Sequence, residues 1–143
     1  MKVKTLVVVL GVFALALVGC AVTGPAPGAV VTDDGLIQFT AAGQSAIAND
    51  EAISMIEARA AAAAVAKANL LEKVKGAYVS GSVTVGDLMF SSQEARVSTE
   101  GFLSRATITY EEVSGVPAPN IVTAIATLTL SEDDMADLAA YVQ

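Results

Sequence analysis

The chain has 143 residues, with 8 Lys and Arg against 15 Asp and Glu, no His, no Trp and one Cys. Those counts exclude a Ser-His-Asp triad, a His-ligated metal, an internal disulfide and a zinc cluster. The net charge of −7 argues against a nucleic-acid surface, which needs clustered Lys and Arg to displace counterions from phosphate, and leaves one modest acidic domain with a binding or structural role.

Lys2 and Lys4 precede an apolar run over 6–18 broken only by Gly11. The run is too short to cross about 30 Å of hydrocarbon as a permanent helix, so 1–19 reads as a signal peptide. It ends Leu17-Val18-Gly19-Cys20, with the chain's one Cys at the junction. These four residues resemble a bacterial lipobox. The resemblance implies that Cys20 is diacylated and becomes the new N-terminus. Ala21 in place of Asp then implies an outer-membrane address, lipid-anchored on the periplasmic side. Acyl chains contribute roughly 0.8 kcal/mol per buried methylene, so two or three of them make a lasting anchor. Without 1–19 the chain has 124 residues and a net charge of 6 − 15 = −9, and 25 of its residues are Ala. Its core is expected to be thin and to depend on close approach across Ala.

Residues 20–35 hold three Gly and two Pro without apolar periodicity and read as the lipidated Cys and a flexible tether. A single domain is expected over 36–143. A short strand over 36–42 ends at Gly43. A long helix follows, with Asn49 as N-cap, Asp50 and Glu51 in its first turn, Lys73 and Lys75 in its last, and Gly76 as C′. Its predicted inner stripe is Ile53, Ile56, Ala60, Ala63, Leu70, Leu71 and Val74. Lys67 interrupts that stripe, its stem expected on the sheet and its ammonium in water. From Ala77 to Val85 a period of two predicts a half-buried strand, and 86–100 reads as a connection with a short helical turn. Residues 102–113 alternate again, with Phe102, Ala106, Ile108 and Tyr110 inward and Leu103, Arg105, Thr107, Thr109 and Glu111 outward. After a Pro-containing loop, 121–130 forms the hairpin partner, with Val122, Ala124, Ala126, Leu128 and Leu130 inward. Ser131 with Asp134 starts a short C-terminal helix.

The fold class is therefore α+β: strand, long helix, then antiparallel strands and a short C-terminal helix. The helix covers one sheet face. The other is expected to carry Ser80, Ser82, Thr84, Thr107, Thr109, Thr123, Thr127 and Thr129, interrupted by Leu103, Ile121 and Ile125, which are the candidate residues of an oligomer interface. Exposed sheet edges offer a second means of joining copies.

Residues 58–113 carry an Ala-rich helix running into Asn69, Leu70, Glu72, Val74 and Gly76. A Val-rich strand, the pair Asp87-Leu88, and Gly101-Phe102-Leu103 with Arg105-Ala106 follow. The stretch resembles the Lpp-twenty family of small bacterial lipoproteins and its FlgP-like members. The resemblance implies an SHS2/dodecin-like domain that assembles into rings or disks at the outer-membrane end of the flagellar motor, with basal-body proteins as partners and a role in motility.

The carboxylate groups Asp33-Asp34, Glu111-Glu112 and Glu132-Asp133-Asp134 read as tether, strand and helix-start residues, none with calcium-loop spacing. No Gly-x-Ser-x-Gly elbow, Ser-x-x-Lys, phosphate loop or dinucleotide fingerprint occurs. No enzyme activity, cofactor or metal is expected. The expectation is a self-assembling, non-catalytic outer-membrane lipoprotein of the flagellar basal body. The alternative is a general envelope lipoprotein that binds a protein partner or surface as a monomer.

Overall fold

The computed structural model describes residues 28–49, 51–113 and 121–142. The signal peptide, the lipobox residues Leu17, Val18, Gly19 and Cys20, and Asp50 lie outside them. Strands β1 (Ala29–Val31), β2 (Ile37–Ala46), β5 (Thr107–Val113) and β6 (Ile121–Leu130) form an antiparallel sheet in the order β1-β2-β6-β5. Helix α1 (Ala52–Lys75) lies across β2 and β6. A second unit beyond it holds the hairpin β3 (Tyr78–Ser80) and β4 (Val83–Thr84), helices α2 (Val85–Ser91) and α3 (Gln93–Ser104), and the last helix α4 (Glu132–Ala139). The class is α+β.

Strict alternation along β6 creates the core. Val122, Ala124, Ala126, Leu128 and Leu130 are all buried, as their period of two predicts, and register places Phe39 opposite Leu128 and Gly43 opposite Ala124. β5 pairs with β6 as the predicted hairpin, Thr109 opposite Ile125 and Tyr110 opposite Ala124. β2 differs from expectation by running through Gly43 to Ala46. Gly43 is where α1 touches the sheet: a Cβ there would collide with the backbone oxygen of Ala62 and the backbone nitrogen of Ala66. Glycine lets the two backbones meet while the strand continues.

The buried row of α1 is Ser54, Ala58, Ala62, Ala66, Leu70 and Val74, one residue in every four. The predicted stripe is corrected at its N-terminal half. Ile53 and Ile56 are each 66% exposed and Ala60 is exposed, whereas Leu70 and Val74 hold. A row of period four winds around a helix of 3.6 residues per turn, so contact follows the twisted sheet instead of one straight stripe. The same winding leaves Lys67 exposed, outside the contact row. At the helix start Glu51 is the N-cap residue, and Asn49 acts from two positions upstream, its Oδ1 accepting from the Glu51 N–H at 3.0 Å and the Ser54 hydroxyl at 2.5 Å. Gly76 closes the helix in right-handed geometry, φ −75°, donating its N–H to the Glu72 carbonyl.

Three further expectations are corrected. Ala29–Val31 pairs with Ile37–Phe39 of β2, so ordered structure begins ahead of the predicted tether boundary at residue 35. Ser80, Ser82 and Thr84 belong to a separate two-stranded hairpin that turns at Gly81, φ +54°, and are not on the main sheet. Helices α2 and α3 occupy 85–91 and 93–104, where a connection and the start of a strand were expected. Ser92 caps α3, its hydroxyl accepting from the Ala95 N–H at 3.2 Å, and Thr99 is buried with its hydroxyl bonded to the Ala95 carbonyl at 2.8 Å. The start of α4 is as read, with Ser131 and Asp134 satisfying each other's backbone N–H in a capping box.

Candidate assembly surface

In antiparallel strands directly opposed residues share a face, so register defines the surface of the sheet turned away from α1. Its rows are Thr40, Thr127 and Thr107; Ala42, Ile125 and Thr109; Gln44, Thr123 and Glu111; and Ala46 with Ile121. Ile121 and Ile125 lie four residues apart on the central strand, with Thr123 between them on the same face, each opposite an alanine of β2. The small neighbours leave both isoleucines half-buried, their remaining surface turned to solvent. Polar groups around them are partly satisfied within the face. Gln44 Nε2 donates to Thr123 Oγ1 at 3.2 Å, and Thr107 Oγ1 donates to the Thr127 carbonyl at 3.4 Å.

The structure therefore brings together two of the three predicted interface residues. Leu103 is corrected: it lies on α3, half-buried against the core, and takes no part in the open face. The reversal follows from α3 extending to Ser104, which puts Phe102 and Leu103 on a helix where alternate-face logic does not apply.

The sheet edges hold residues that sequence reasoning left out. β1 pairs only with Ile37–Phe39, so the rest of β2 has no strand on that side among the described residues. Side chains of α1 reach over this edge instead: Lys73 Nζ donates to the Thr40 carbonyl at 2.6 Å and Asn69 Nδ2 to the Ala42 carbonyl at 2.8 Å. At the opposite edge Tyr110 of β5 is 43% exposed on the helix side, with the Arg59 guanidinium 5.8 Å from its ring centroid. The residues Asn69, Leu70, Glu72, Val74 and Gly76, singled out as a pattern, each have a packing role: edge cover, core, ion pair to Lys75 at 2.8 Å, core and helix end.

The ionisable groups with displaced pKa values serve helix starts. Asp87 is lowered by bonds from the Thr84 hydroxyl and N–H, and Glu94 by its own backbone N–H and the Ser92 hydroxyl. Partial burial opposes ionisation of Asp134. Bonds from the Ser131 N–H, the Arg105 guanidinium and the Ser131 hydroxyl outweigh it and lower that pKa too. An open cleft of about 310 Å³ is lined by Val83, Leu88, Ser91, Ser92, Tyr141 and Val142. Its serine hydroxyls are engaged by local backbone and by Glu94. Among the described residues no cluster of three acidic, His or Cys side chains is placed to hold a metal, and no helix is long and apolar enough to cross a membrane.

Comparison with protein-family models, curated proteins and solved structures returns no match for this chain.

Proposed function

We propose that the processed chain is a non-catalytic lipoprotein of the outer membrane that self-assembles through its open sheet face as a structural component of the flagellar basal body. The observation that carries self-assembly is the pair Ile121 and Ile125, half-buried aliphatic side chains on the open, otherwise Thr-rich face. Anchoring rests on the lipobox ending at Cys20. The flagellar assignment rests on the resemblance of residues 58–113 to FlgP-like lipoproteins.

Physical scale fits a modest contact between copies that the membrane reinforces. At about 3.4 Å per residue and 4.8 Å between strands, the open face spans on the order of 500 Å² per copy, the low end for a specific contact. Acyl anchoring confines copies to two dimensions and raises their effective concentration, so a weak face suffices. The outer edges of β2 and β5 lie at opposite ends of the sheet, and a head-to-tail contact between them closes into a ring when its rotation allows.

Sedimentation of the leaderless chain tests the assembly. Oligomers are expected, and Ile121→Asp with Ile125→Asp disperses them; a strict monomer at high concentration defeats this reading. Mass spectrometry of Cys20 from cells tests the anchor. A clean deletion that swims normally removes the flagellar role alone.

A further inference from the structure

Phe90 on α2 is 91% exposed, the largest exposure of any bulky apolar side chain described, and Val97 on the adjoining helix α3 is 58% exposed. Among the described residues neither belongs to the buried core or to the partly buried groups packed against it. The two belong to one local structure, because α2 and α3 pack together and the guanidinium of Arg96, the residue before Val97, reaches the carbonyl of Met89, the residue before Phe90, at 3.5 Å.

The position of this patch relative to the chain entry bears on its partner. A Cβ placed on Gly28, the first described residue, would lie 3.4 Å from Lys73 Cδ, near the end of α1. A Cβ on Gly86, in the first turn of α2, would lie 3.4 Å from Lys75 Cβ. With Phe90 one helical turn past Gly86, this chain of contacts places Phe90 at most about 27 Å from Gly28. Cys20 precedes Gly28 by eight residues, a stretch that spans no more than about 29 Å fully extended. Of the other exposed aliphatic side chains, Val30 and Val31 follow Gly28 by two and three residues at the chain entry itself, whereas Ile53 and Ile56 sit toward the opposite end of α1, Ile53 about 30 Å along the axis from Lys73. A short tether held in a bilayer thus favours the α2–α3 end.

We propose that Phe90, with Val97 on the adjoining helix, rests in the surface of the bilayer that holds Cys20, so that acyl chains and an apolar side-chain contact together fix the domain's orientation. The proposal rests on the lipid-anchor reading above. A single apolar patch adds a second, reversible signal to a covalent one, a combination that sets posture more than affinity. The surrounding charges, Asp87, Glu94, Arg96 and Glu100, are acidic on balance, so the surface fits neutral headgroups and gains nothing from anionic lipid.

The chain has no Trp, so Phe90→Trp supplies a single reporter at an exposed site that tolerates it. The full chain, acylated in cells and reconstituted into phosphatidylcholine vesicles, is compared with Ile53→Trp. Emission from Phe90→Trp is expected to shift to the blue and to be quenched by lipids brominated near the top of their acyl chains. Ile53→Trp is expected to keep the emission of a water-exposed indole. Vesicle flotation with no quenching of Phe90→Trp overturns the contact while leaving the anchor intact, and equal quenching at both positions overturns the orientation. Protein that fails to float and lacks acyl mass overturns the anchor and the contact together.

Discussion

The two faces of one sheet obey different packing rules, although they alternate residue by residue along the same strands. On the helix side, Gly43, Ala41, Ala124 and Ala126 are small, and α1 meets them with Ala58, Ala62 and Ala66, so backbones approach with little between them. The large buried groups, Phe39, Leu70, Leu128, Leu130 and Leu138, are fully or almost fully enclosed. On the other face, Thr, Gln and two Ile stand on the same strands without a cover among the described residues. Close approach on one side removes any tolerance for added volume. The open side carries half-buried and exposed groups, which have room for change.

The sharpest break of this contrast is a pair of neighbouring substitutions. Gly43→Val puts its first carbon into the backbone of Ala62 and Ala66, where no side chain can move aside. A loss of more than about 3 kcal/mol is expected, beyond ordinary overpacking, and is read as a fall in the urea midpoint. Ala42→Val, one residue earlier and on the open face, is expected to change stability by less than about 0.5 kcal/mol. Similar losses at both positions would mean that the faces do not differ in packing.

Much of that contrast is legible in the sequence, though unevenly. Strand β6 is readable because Val122, Ala124, Ala126, Leu128 and Leu130 recur at every second position with Thr123, Thr127 and Thr129 between them, and the Ser131–Asp134 capping box is readable because its chemistry is local. The orientation of α1 is not. Residues 60–64 are five consecutive alanines, which carry no periodic signal, so Ile53 and Ile56 dominate the reading while the structure leaves both exposed. Close packing selected the smallest side chains, and in doing so erased the pattern that reports it. The α2–α3 region is hidden for another reason. Its buried positions Ala95 and Thr99 are weak hydrophobic markers, and Phe102-Leu103 joined to an alternating run looks like the start of a strand. Of the assembly surface, Ile121 and Ile125 follow from alternation, Leu103 does not, and the edge contacts of Asn69 and Lys73 depend on helix placement that no local pattern contains.

Smaller effects are expected where the second unit joins the sheet, through its helix caps. Ser131→Ala and Thr84→Ala each remove a capping-box hydroxyl and are expected to cost about 1 kcal/mol, measured by thermal unfolding. These caps also set a pH response. Asp87, Glu94 and Asp134 have folded pKa values below their ordinary ones, so the unfolded chain takes up protons first as pH falls. Their stabilisation is complete above the ordinary carboxylate range and is lost as pH drops through about 4 toward the lowered folded values. With no His in the chain, stability is expected to stay level from about pH 5 to 8, and a midpoint that moves within that window would show another group at work.

The smallest effect on stability falls on the open face and carries the most information about it. Ile121→Thr with Ile125→Thr converts the central strand's outer row to an unbroken series of threonines, a residue suited to half-exposed strand positions. Each change is expected to shift unfolding free energy by less than about 0.5 kcal/mol, because the isoleucines bury only part of their surface within the monomer. Sedimentation should nevertheless move toward the monomer, since the aliphatic contact between copies is what the substitution removes. A stability loss of several kcal/mol would place the isoleucines inside the monomer's own packing and erase the difference between the faces. An unchanged stability with unchanged oligomers would shift assembly to the strand edges, where Lys73 and Asn69 cover β2 and Tyr110 flanks β5.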